Sequence, residues 1–253
     1  GAMLGEVARD RLVTTAGARV GDALLLTKGV PIEGAAIIAR ERGDEARRRG
    51  VPADVVERAR GFLRAPGISV VREALLACDA ARVHAMHDPT EGGLATACRE
   101  LADAGGVGCR VERERVPVPP EAQALCGAFG LDPLGTIASG ALLLAVEPGD
   151  ADRVIAACEG AGIRCRAIGR VTPREDGVGF ADSRGPPCKR APLAAAQPEA
   201  RFIVFCGVPF RAESAAVRRQ PHQTVVLPDL KAGCSMADMA GIEDVEEAWD
   251  RLT

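Results

Sequence analysis

The sequence predicts an α/β (α+β) fold in which strands and helices alternate and pack in layers. Short apolar runs that end in glycines alternate with segments in which apolar residues recur at helical spacing. The chain has 253 residues, 47% of them hydrophobic and 26% charged, which suits a soluble globular protein with one large or two ordinary domains. We therefore expect packed layers and exclude disorder and collagen-like repeats.

The first half of the chain alternates clearly. Residues 22–27 (DALLLT) form an apolar run between Gly21 and Lys28, which predicts a buried strand. The periodicity that follows predicts helices at residues 32–42, 53–63 and 70–79. A strand at 83–86, a helix at 89–104 and a strand at 107–112 come next, with Gly105 and Gly106 making the last break.

The second half continues the pattern and then changes. We predict helices at 121–129 and 150–161 and strands at 141–146 and 164–171. Residues 174–198 are rich in proline and lack periodicity, so we divide the chain into a domain at 1–182, a linker at 183–198 and a partial domain at 199–253. Strands at 202–206 and 224–227, each before a helical pattern, predict a small βαβα piece.

Composition excludes several classes of function. A net charge of −3, only 3% aromatic residues and no tyrosine argue against a nucleic-acid partner, and the basic run at 47–49 reads as a solvated helix end. The longest apolar stretch, residues 141–146, is too short for a membrane helix, and no signal pattern opens the chain, so we expect a cytoplasmic protein with no membrane partner. Nine cysteines without a CxxC pair read mostly as reduced core residues.

Residues 87–93 (HDPTEGG) combine a strand end, a polar loop and the start of an amphipathic helix. Such a junction aims backbone N–H groups at one place and suits a phosphate or carboxylate. A capping box explains part of the pattern without a ligand, with Asp88 as the N-cap, Pro89 as the first helical residue and Glu91 as the third. Both interpretations stay open for Asp88 and Glu91.

Capping does not explain the two glycines that follow. Each glycine in the first turns of a helix costs roughly 0.5–1 kcal/mol relative to alanine, so something should approach the backbone of Gly92 and Gly93 closely. That neighbour is either a ligand or another strand of the protein. His87 alone reads more simply as a hydrogen-bonded turn residue than as a catalyst.

Four segments together resemble a known family. They are VTTAGARVGDALLLTKGVPIEGAAIIARE (13–41), HDPTEGGLATACRELADAGGVG (87–108), GLDPLGTIASGALLLAV (130–146) and AIGRVTP (167–173). In this order they resemble the C-terminal domain of the aminoimidazole ribonucleotide synthetase (PurM-like) superfamily, over about residues 5–182. Within it they are most similar to hydrogenase-maturation proteins that dehydrate a carboxamide to a nitrile, and to synthetase-related proteins.

This resemblance implies an enzyme that uses ATP and Mg to phosphorylate an amide or carboxylate-type oxygen of a small-molecule or protein carboxamide. It implies a homodimer formed through an N-terminal domain that this chain lacks, so we expect no cofactor to bind tightly to the chain alone. The site residues that it implies are His87, Asp88, Thr90 and Glu91 for catalysis and Thr27, Lys28, Gly92 and Gly93 for phosphate or nucleotide. For Lys28, a solvated charge at a strand end is the simpler expectation.

Residues 202–239, which begin FIVFCGVPF and end VVLPDLKAGCSMADM, resemble a different family, quinolinate synthase. The resemblance covers about residues 199–253 and implies a [4Fe–4S] cluster with Cys234 as one ligand. A cysteine at a helix start favours the thiolate and hence metal ligation. One cysteine cannot hold a cluster, however, and Pro209 stands where that family usually has histidine.

The leading interpretation is therefore the C-terminal part of an ATP-dependent synthetase-like enzyme, inactive alone, joined to a quinolinate synthase fragment. One alternative is quinolinate synthesis, an iron–sulfur reaction of NAD biosynthesis. The other is a non-catalytic binding or assembly module.

Overall fold

The structure is a computed structural model that describes residues 7–182, 185–188, 202–204 and 224–226. The chain divides into two compact units. The larger is residues 11–189, and the smaller is residues 1–10 together with 190–253. Within the smaller unit, the described residues are 7–10 and two strands, at 202–204 and 224–226.

In the described part of the larger unit, strands and helices alternate along the chain. The strands are β1 (Ala23–Thr27), β2 (Val83–His87), β3 (Gly108–Glu112), β4 (Leu143–Val146), β5 (Cys165–Thr172), β6 (Val178–Asp182) and β7 (Gly185–Cys188). The α-helices are α1 (Ile32–Glu41), α2 (Gly43–Arg48), α3 (Ala53–Arg60), α4 (Val71–Ala80), α5 (Gly93–Gly105), α6 (Pro120–Ala128) and α7 (Ala151–Gly160).

The strands form one mixed sheet in the order β2-β4-β1-β5-β3-β6-β7. The central strand β1 pairs antiparallel with both β4 and β5, and β3 pairs parallel with β6. Because β1 and β2 are both antiparallel to β4, they run in the same direction and end at the same edge of the sheet. We call this edge the carboxyl edge of β1.

Helices cover both faces of the sheet, which is why β1 is apolar on successive residues rather than on alternate ones. Leu24 and Leu26 join the apolar cluster that contains Leu94 and Leu101 of α5. Leu25 points to the opposite face, into the cluster that contains Val154 of α7. Alternation along a strand thus divides the apolar residues between two cores.

A third apolar cluster forms among the helices that follow β1. Most of its members are buried residues from α1, α2, α3 and α6, among them Ile32, Val56 and Leu125. This helical layer begins directly after the carboxyl edge of β1, because only residues 28–31 separate β1 from α1.

The predicted fold class is confirmed, and the strands and helices predicted before residue 172 occur in the predicted order. One boundary is wrong, because α5 begins at Gly93 and not at Pro89. No separate helix is predicted at α2, although the basic run at 47–49, interpreted as a helix end, falls at its end. The sheet continues through β6, at the end of the predicted domain, and through β7, which lies within the predicted linker at 183–198.

In the smaller unit, β8 (Phe202–Val204) and β9 (Thr224–Val226) pair parallel. Parallel pairing needs a crossover connection, in agreement with the predicted βαβ order. Cys234, Pro209 and the predicted final helix lie outside the described residues.

The six cysteines within residues 7–182 are free thiols, and five of them are buried. Burial raises the pKa of Cys98, and it raises that of Cys109 to about 12. The expectation of reduced core cysteines is confirmed for these residues. Over the same described ranges, no helix has the length and apolar character needed to cross a membrane.

Candidate functional site

The predicted site loop lies at the carboxyl edge of β1, directly after β2. His87 is the last residue of β2 and pairs with Leu143 of β4, which in turn pairs with Leu26 of β1. The segment before β4 and the turn after β1 reach the same edge. Three connecting segments that are far apart in sequence therefore meet there.

The loop between β2 and α5 is not a capping box. Gly92 is the N-cap of α5, no side chain caps the helix, and both Gly92 and Gly93 have left-handed backbone angles, with φ of 73° and 60°. These two glycines turn the chain, so that Asp88, Pro89 and Glu91 precede the helix instead of forming its first turn. The capping-box interpretation of Asp88 and Glu91 is therefore wrong.

The close neighbour that Gly93 requires is part of the protein. A Cβ atom at Gly93 would lie 2.7 Å from the carbonyl oxygen of Leu134 and still closer to that of Thr136. At Gly92 a Cβ atom would collide with the hydroxyl of Thr96 in the same helix. Of the two alternatives that the sequence left open, packing against the chain accounts for both glycines without a ligand.

Residues 134–138 are held between the starts of two helices. The Gly34 N–H, in the first turn of α1, donates to the Ile137 carbonyl at 3.0 Å. The Ala138 N–H donates to the Thr90 carbonyl at 3.1 Å, and the Gly93 N–H donates to the same oxygen at 3.0 Å. The starts of α1 and α5 are thus fixed beside each other through one short segment.

His87 is the titratable side chain best placed for chemistry in this loop. Its Nε2 lies 2.8 Å from Oε2 of Glu100, and the imidazole is 22% exposed. A carboxylate partner favours the tautomer that carries hydrogen on Nε2, which leaves Nδ1 as the basic nitrogen. Among the described residues, Nδ1 has no hydrogen-bond partner, so it is open to a ligand.

The other predicted catalytic residues differ in their surroundings. Asp88 is exposed at the surface of the loop, and Glu91 is half-buried and engaged in an interaction. The Thr90 hydroxyl donates to the Asp88 carbonyl at 3.2 Å. Thr90 therefore organises the loop through both its hydroxyl and its carbonyl oxygen.

Glu33 is a candidate site residue that the sequence did not single out. It lies in the first turn of α1, it is 6% exposed, and its Oε2 is buried without a hydrogen-bond partner among the described residues. Burying a carboxylate oxygen without a partner costs free energy, so such groups are often functional. An acidic residue in a first helical turn looks in sequence like an ordinary partner of the helix dipole, which hides it.

Thr27 and Lys28 are built into the support of this edge. The Leu142 N–H donates to the Thr27 hydroxyl oxygen at 2.9 Å, and Thr27 is fully buried. The Lys28 ammonium lies 2.8 Å from Oε1 of Glu73, and their side chains are only 7% and 1% exposed. The expectation that Lys28 is solvated is therefore wrong.

The backbone explains the inward turn of Lys28. Its φ of 55° is left-handed, and its ammonium also donates to the carbonyl oxygens of Gly67 and Ser69. An ammonium has three donors, and Glu73 and these two carbonyls account for all three. Lys28 has no donor left for a phosphate.

A metal site at the loop finds no support in the described residues. Among the described residues, the ligand atoms that lie close enough together to hold a metal ion are those of Asp22, His84 and Glu147. These residues lie at the opposite edge of the sheet, where β1 and β2 begin and β4 ends. His84 Nδ1 is 2.9 Å from the Asp22 carboxylate, and this buried pair ties β1 to β2.

Comparison with family models agrees with both resemblances. Residues 19–182 match the model described as "AIR synthase related protein, C-terminal domain", and residues 174–253 match "Quinolinate synthetase A protein". Curated relatives of the second part are quinolinate synthases. The protein from Nocardioides sp. is 48% identical over 118 residues (47% of this chain, 30% of the relative), and that from Streptomyces coelicolor is 51% identical over 110 residues (42% and 28%).

Solved structures resemble the first part. HypE from E. coli superposes with a TM-score of 0.58 at 25% identity, covering 72% of this chain and 53% of HypE. Thiamine-monophosphate kinase from Stenotrophomonas maltophilia, with a TM-score of 0.54 at 17% identity over 70% of this chain and 54% of the kinase, shares the fold. The chain thus spans about half the length of these structures and less than a third of the two curated relatives above.

Both resemblances drawn from the sequence motifs are confirmed, one by a family model and solved structures and the other by a family model and curated relatives. The model match at residues 19–182 spans more than half of the chain and coincides with the described sheet and its helices. The chain therefore belongs to the family of AIR synthase related proteins, through their C-terminal domain.

Proposed function

We propose that residues 11–182 are part of an ATP-dependent enzyme that phosphorylates an amide or carboxylate-type oxygen of a small-molecule or protein carboxamide. In this proposal they form the half that binds the acceptor of the phosphoryl group. Family membership and the likeness to HypE, a hydrogenase maturation protein, support this proposal. A further HypE structure contains ATP, but at 24% identity that likeness supports the fold alone.

The single observation that carries the proposal is the His87–Glu100 pair at the carboxyl edge of β1. Glu100 accepts from Nε2 at 2.8 Å and leaves Nδ1 open at the surface of the loop. A neutral imidazole in this state takes a proton from an acceptor group as its oxygen or nitrogen attacks, and returns it later. His87 would then be the proton carrier, Glu100 would orient it, and the exposed carboxylate of Asp88 would face the substrate.

ATP with Mg would supply the phosphoryl group in such a reaction. The described residues do not fit this cofactor. Lys28 is saturated, the Gly93 backbone faces two carbonyl oxygens, and the described residues place no metal-ligand cluster at this edge. We therefore propose that this half binds the acceptor of the phosphoryl group and transfers its proton. We assign no phosphate contact to Gly92, Gly93, Thr27 or Lys28.

A domain exchange tests the proposal. Residues 19–182 would replace the corresponding domain of E. coli HypE, and the ATP-dependent turnover of the chimera would be measured with and without His87→Gln. Loss of a positioned proton carrier costs about 10²-fold or more in kcat. Glu100→Gln should lower kcat less and shift its pH profile, since the amide still accepts a hydrogen bond but no longer fixes the tautomer.

Glu159→Gln is the matched control, because Glu159 is exposed on α7, which packs on the opposite face of the sheet from α5. This variant should keep the turnover of the parent chimera. A His87→Gln chimera that is as fast as the parent would refute the proton role of His87. A parent chimera that folds but shows no ATP-dependent turnover would refute the proposed function itself.

A second candidate function concerns the part of the chain that matches the quinolinate synthase family model, residues 174–253. About 50% identity to quinolinate synthases supports a fragment of that family, with Cys234 as one cluster ligand. A cubane takes three or four protein thiolates, so anaerobic reconstitution of the full chain should leave only traces of iron and sulfide. Close to one iron–sulfur cluster per chain, lost in Cys234→Ala, would instead make quinolinate synthesis the leading function.

A further inference from the structure

A cavity of about 480 Å³ opens at the carboxyl edge of β1, on the side of β5. It lies between the start of α4, the start of α6 and the turn that precedes β5. Arg72, Arg164, Phe62, Pro119 and Ile163 contribute to its walls, and we call it the arginine pocket. Its volume is within the range of roughly 300–1,000 Å³ that is typical of small-molecule sites.

The arginine pocket carries unbalanced positive charge. Two of its charged lining residues are neutralised, Lys28 by Glu73 at 2.8 Å and Glu121 by Arg58 at 2.7 Å. Arg72 and Arg164 are exposed, and neither has an ion-pair partner among the described residues. Because the Glu121 carboxylate in the lining is paired with Arg58, two guanidinium groups from distant parts of the chain share this concave space without an ion-pair partner in the described part of the chain.

The segments that bear the two arginines are fixed to each other. Arg72 directly precedes Glu73, whose carboxylate is held by the buried ammonium of Lys28. The backbone N–H of Lys28 donates to the Arg164 carbonyl at 2.7 Å. Lys28 thus links both arginine-bearing segments, and its left-handed backbone, with φ of 55°, makes both contacts available from one residue.

The remaining wall is apolar and rigid. Phe62 is nine-tenths buried, and Pro119 stands before the first residue of α6. Ile163, also largely buried, continues this wall next to Arg164. A ligand that fills the cavity would place an anionic group on the arginines and an apolar group on this wall.

We propose that the arginine pocket binds a small phosphate monoester, with Arg72 and Arg164 on the phosphate and Phe62, Pro119 and Ile163 against the apolar part. Guanidinium groups match the geometry of phosphate oxygens and stay charged at any physiological pH. The pocket lies on the opposite side of β1 from the His87 loop, so the inference is independent of the proposed function.

The test uses the full chain and phenyl phosphate, which combines both ligand features, with inorganic phosphate as the comparison. Calorimetric titration should show saturable binding of phenyl phosphate that is tighter than that of inorganic phosphate. The double variant R72A/R164A should weaken binding at least about tenfold, because two charge-assisted contacts are lost. His87→Gln should leave the affinity unchanged, which separates this site from the loop.

The matched control is R82A/R174A. It also removes two exposed arginines without ion-pair partners in the described part of the chain, but at the opposite edge of the sheet. The net charge changes equally in both double variants, so this control separates the effect of the pocket from that of overall charge. Its affinity for phenyl phosphate should stay within about twofold of the wild type, because both pocket arginines remain. Absence of saturable binding, full affinity in R72A/R164A, or an equal loss in both double variants would each overturn the proposal.

Discussion

At the scale of the residue, buried charge decides what the edge of the sheet can do. Lys28 and Glu73 lie 45 positions apart and form a nearly fully buried ion pair. Local sequence shows only a lysine after a strand and a glutamate in a helix, and neither pattern indicates a partner. Glu33 is hidden for the same reason. Such contacts could not be predicted, because they depend on which elements pack together.

The ion pair leads to a prediction about stability. Lys28→Met should lower the free energy of unfolding by about 3–5 kcal/mol, because it leaves the carboxylate of Glu73 buried and uncompensated. The double variant K28M/E73L should recover much of that loss, since it removes both charges. Urea unfolding of the single and double variants measures the coupling.

The control for this prediction is Arg11→Met, which breaks the exposed ion pair with Asp79. Exposed pairs contribute less than about 1 kcal/mol, so this variant should unfold almost like the wild type. A loss below about 1 kcal/mol in Lys28→Met would mean that water reaches Glu73, and the buried support of this edge would then be wrong.

At the scale of the element, alternating patterns predicted the strands and helices well, but they placed the start of α5 too early. Residues 88–91 have the residue types of a capping box, but α5 begins at Gly93. The reason is tertiary, because the carbonyl oxygens of Leu134 and Thr136 occupy the space in front of Gly93. The sequence indicated that a close neighbour was needed, and it could not say whether that neighbour was a ligand or the protein.

This contact predicts opposite effects for two glycines in helices. Gly93→Ala should destabilise the protein by about 2 kcal/mol or more, since its backbone is left-handed and its Cβ would collide with carbonyl oxygens. Gly127→Ala in α6 should be neutral or stabilise by up to about 1 kcal/mol, because no heavy atom lies within 4 Å of its Cβ position. Thermal unfolding of both variants checks the prediction, and similar effects at the two positions would contradict it.

At the scale of the whole molecule, the chain joins two sequence relationships that meet near residues 174–182. Prolines and lost periodicity after residue 174 placed the predicted linker at 183–198, directly after the residues at which the two family matches overlap. The pattern did not predict that the sheet extends through β7. That extension rests on pairing with β6, and backbone pairing leaves little trace in a short segment such as Gly185–Cys188.

Limited proteolysis tests the division of the chain. Trypsin should cut first between residues 184 and 199, where Arg184, Lys189 and Arg190 occur among prolines at the end of the larger compact unit. A stable fragment ending near residues 184–190 should remain, identified by its intact mass. Early cleavage inside the sheet, with residues 184–199 intact, would show that the two parts do not form separate units.

The central claim is that the described half provides the acceptor side of a phosphoryl transfer and no nucleotide site. The most direct measurement is ATP hydrolysis by the full chain alone, with Mg²⁺ and against a blank without protein. The rate should not exceed the blank, because Lys28 is saturated and the described residues place no metal-ligand cluster at the His87 loop. Magnesium-dependent hydrolysis above the blank, abolished by a substitution at His87, would contradict the claim and place the nucleotide on this edge.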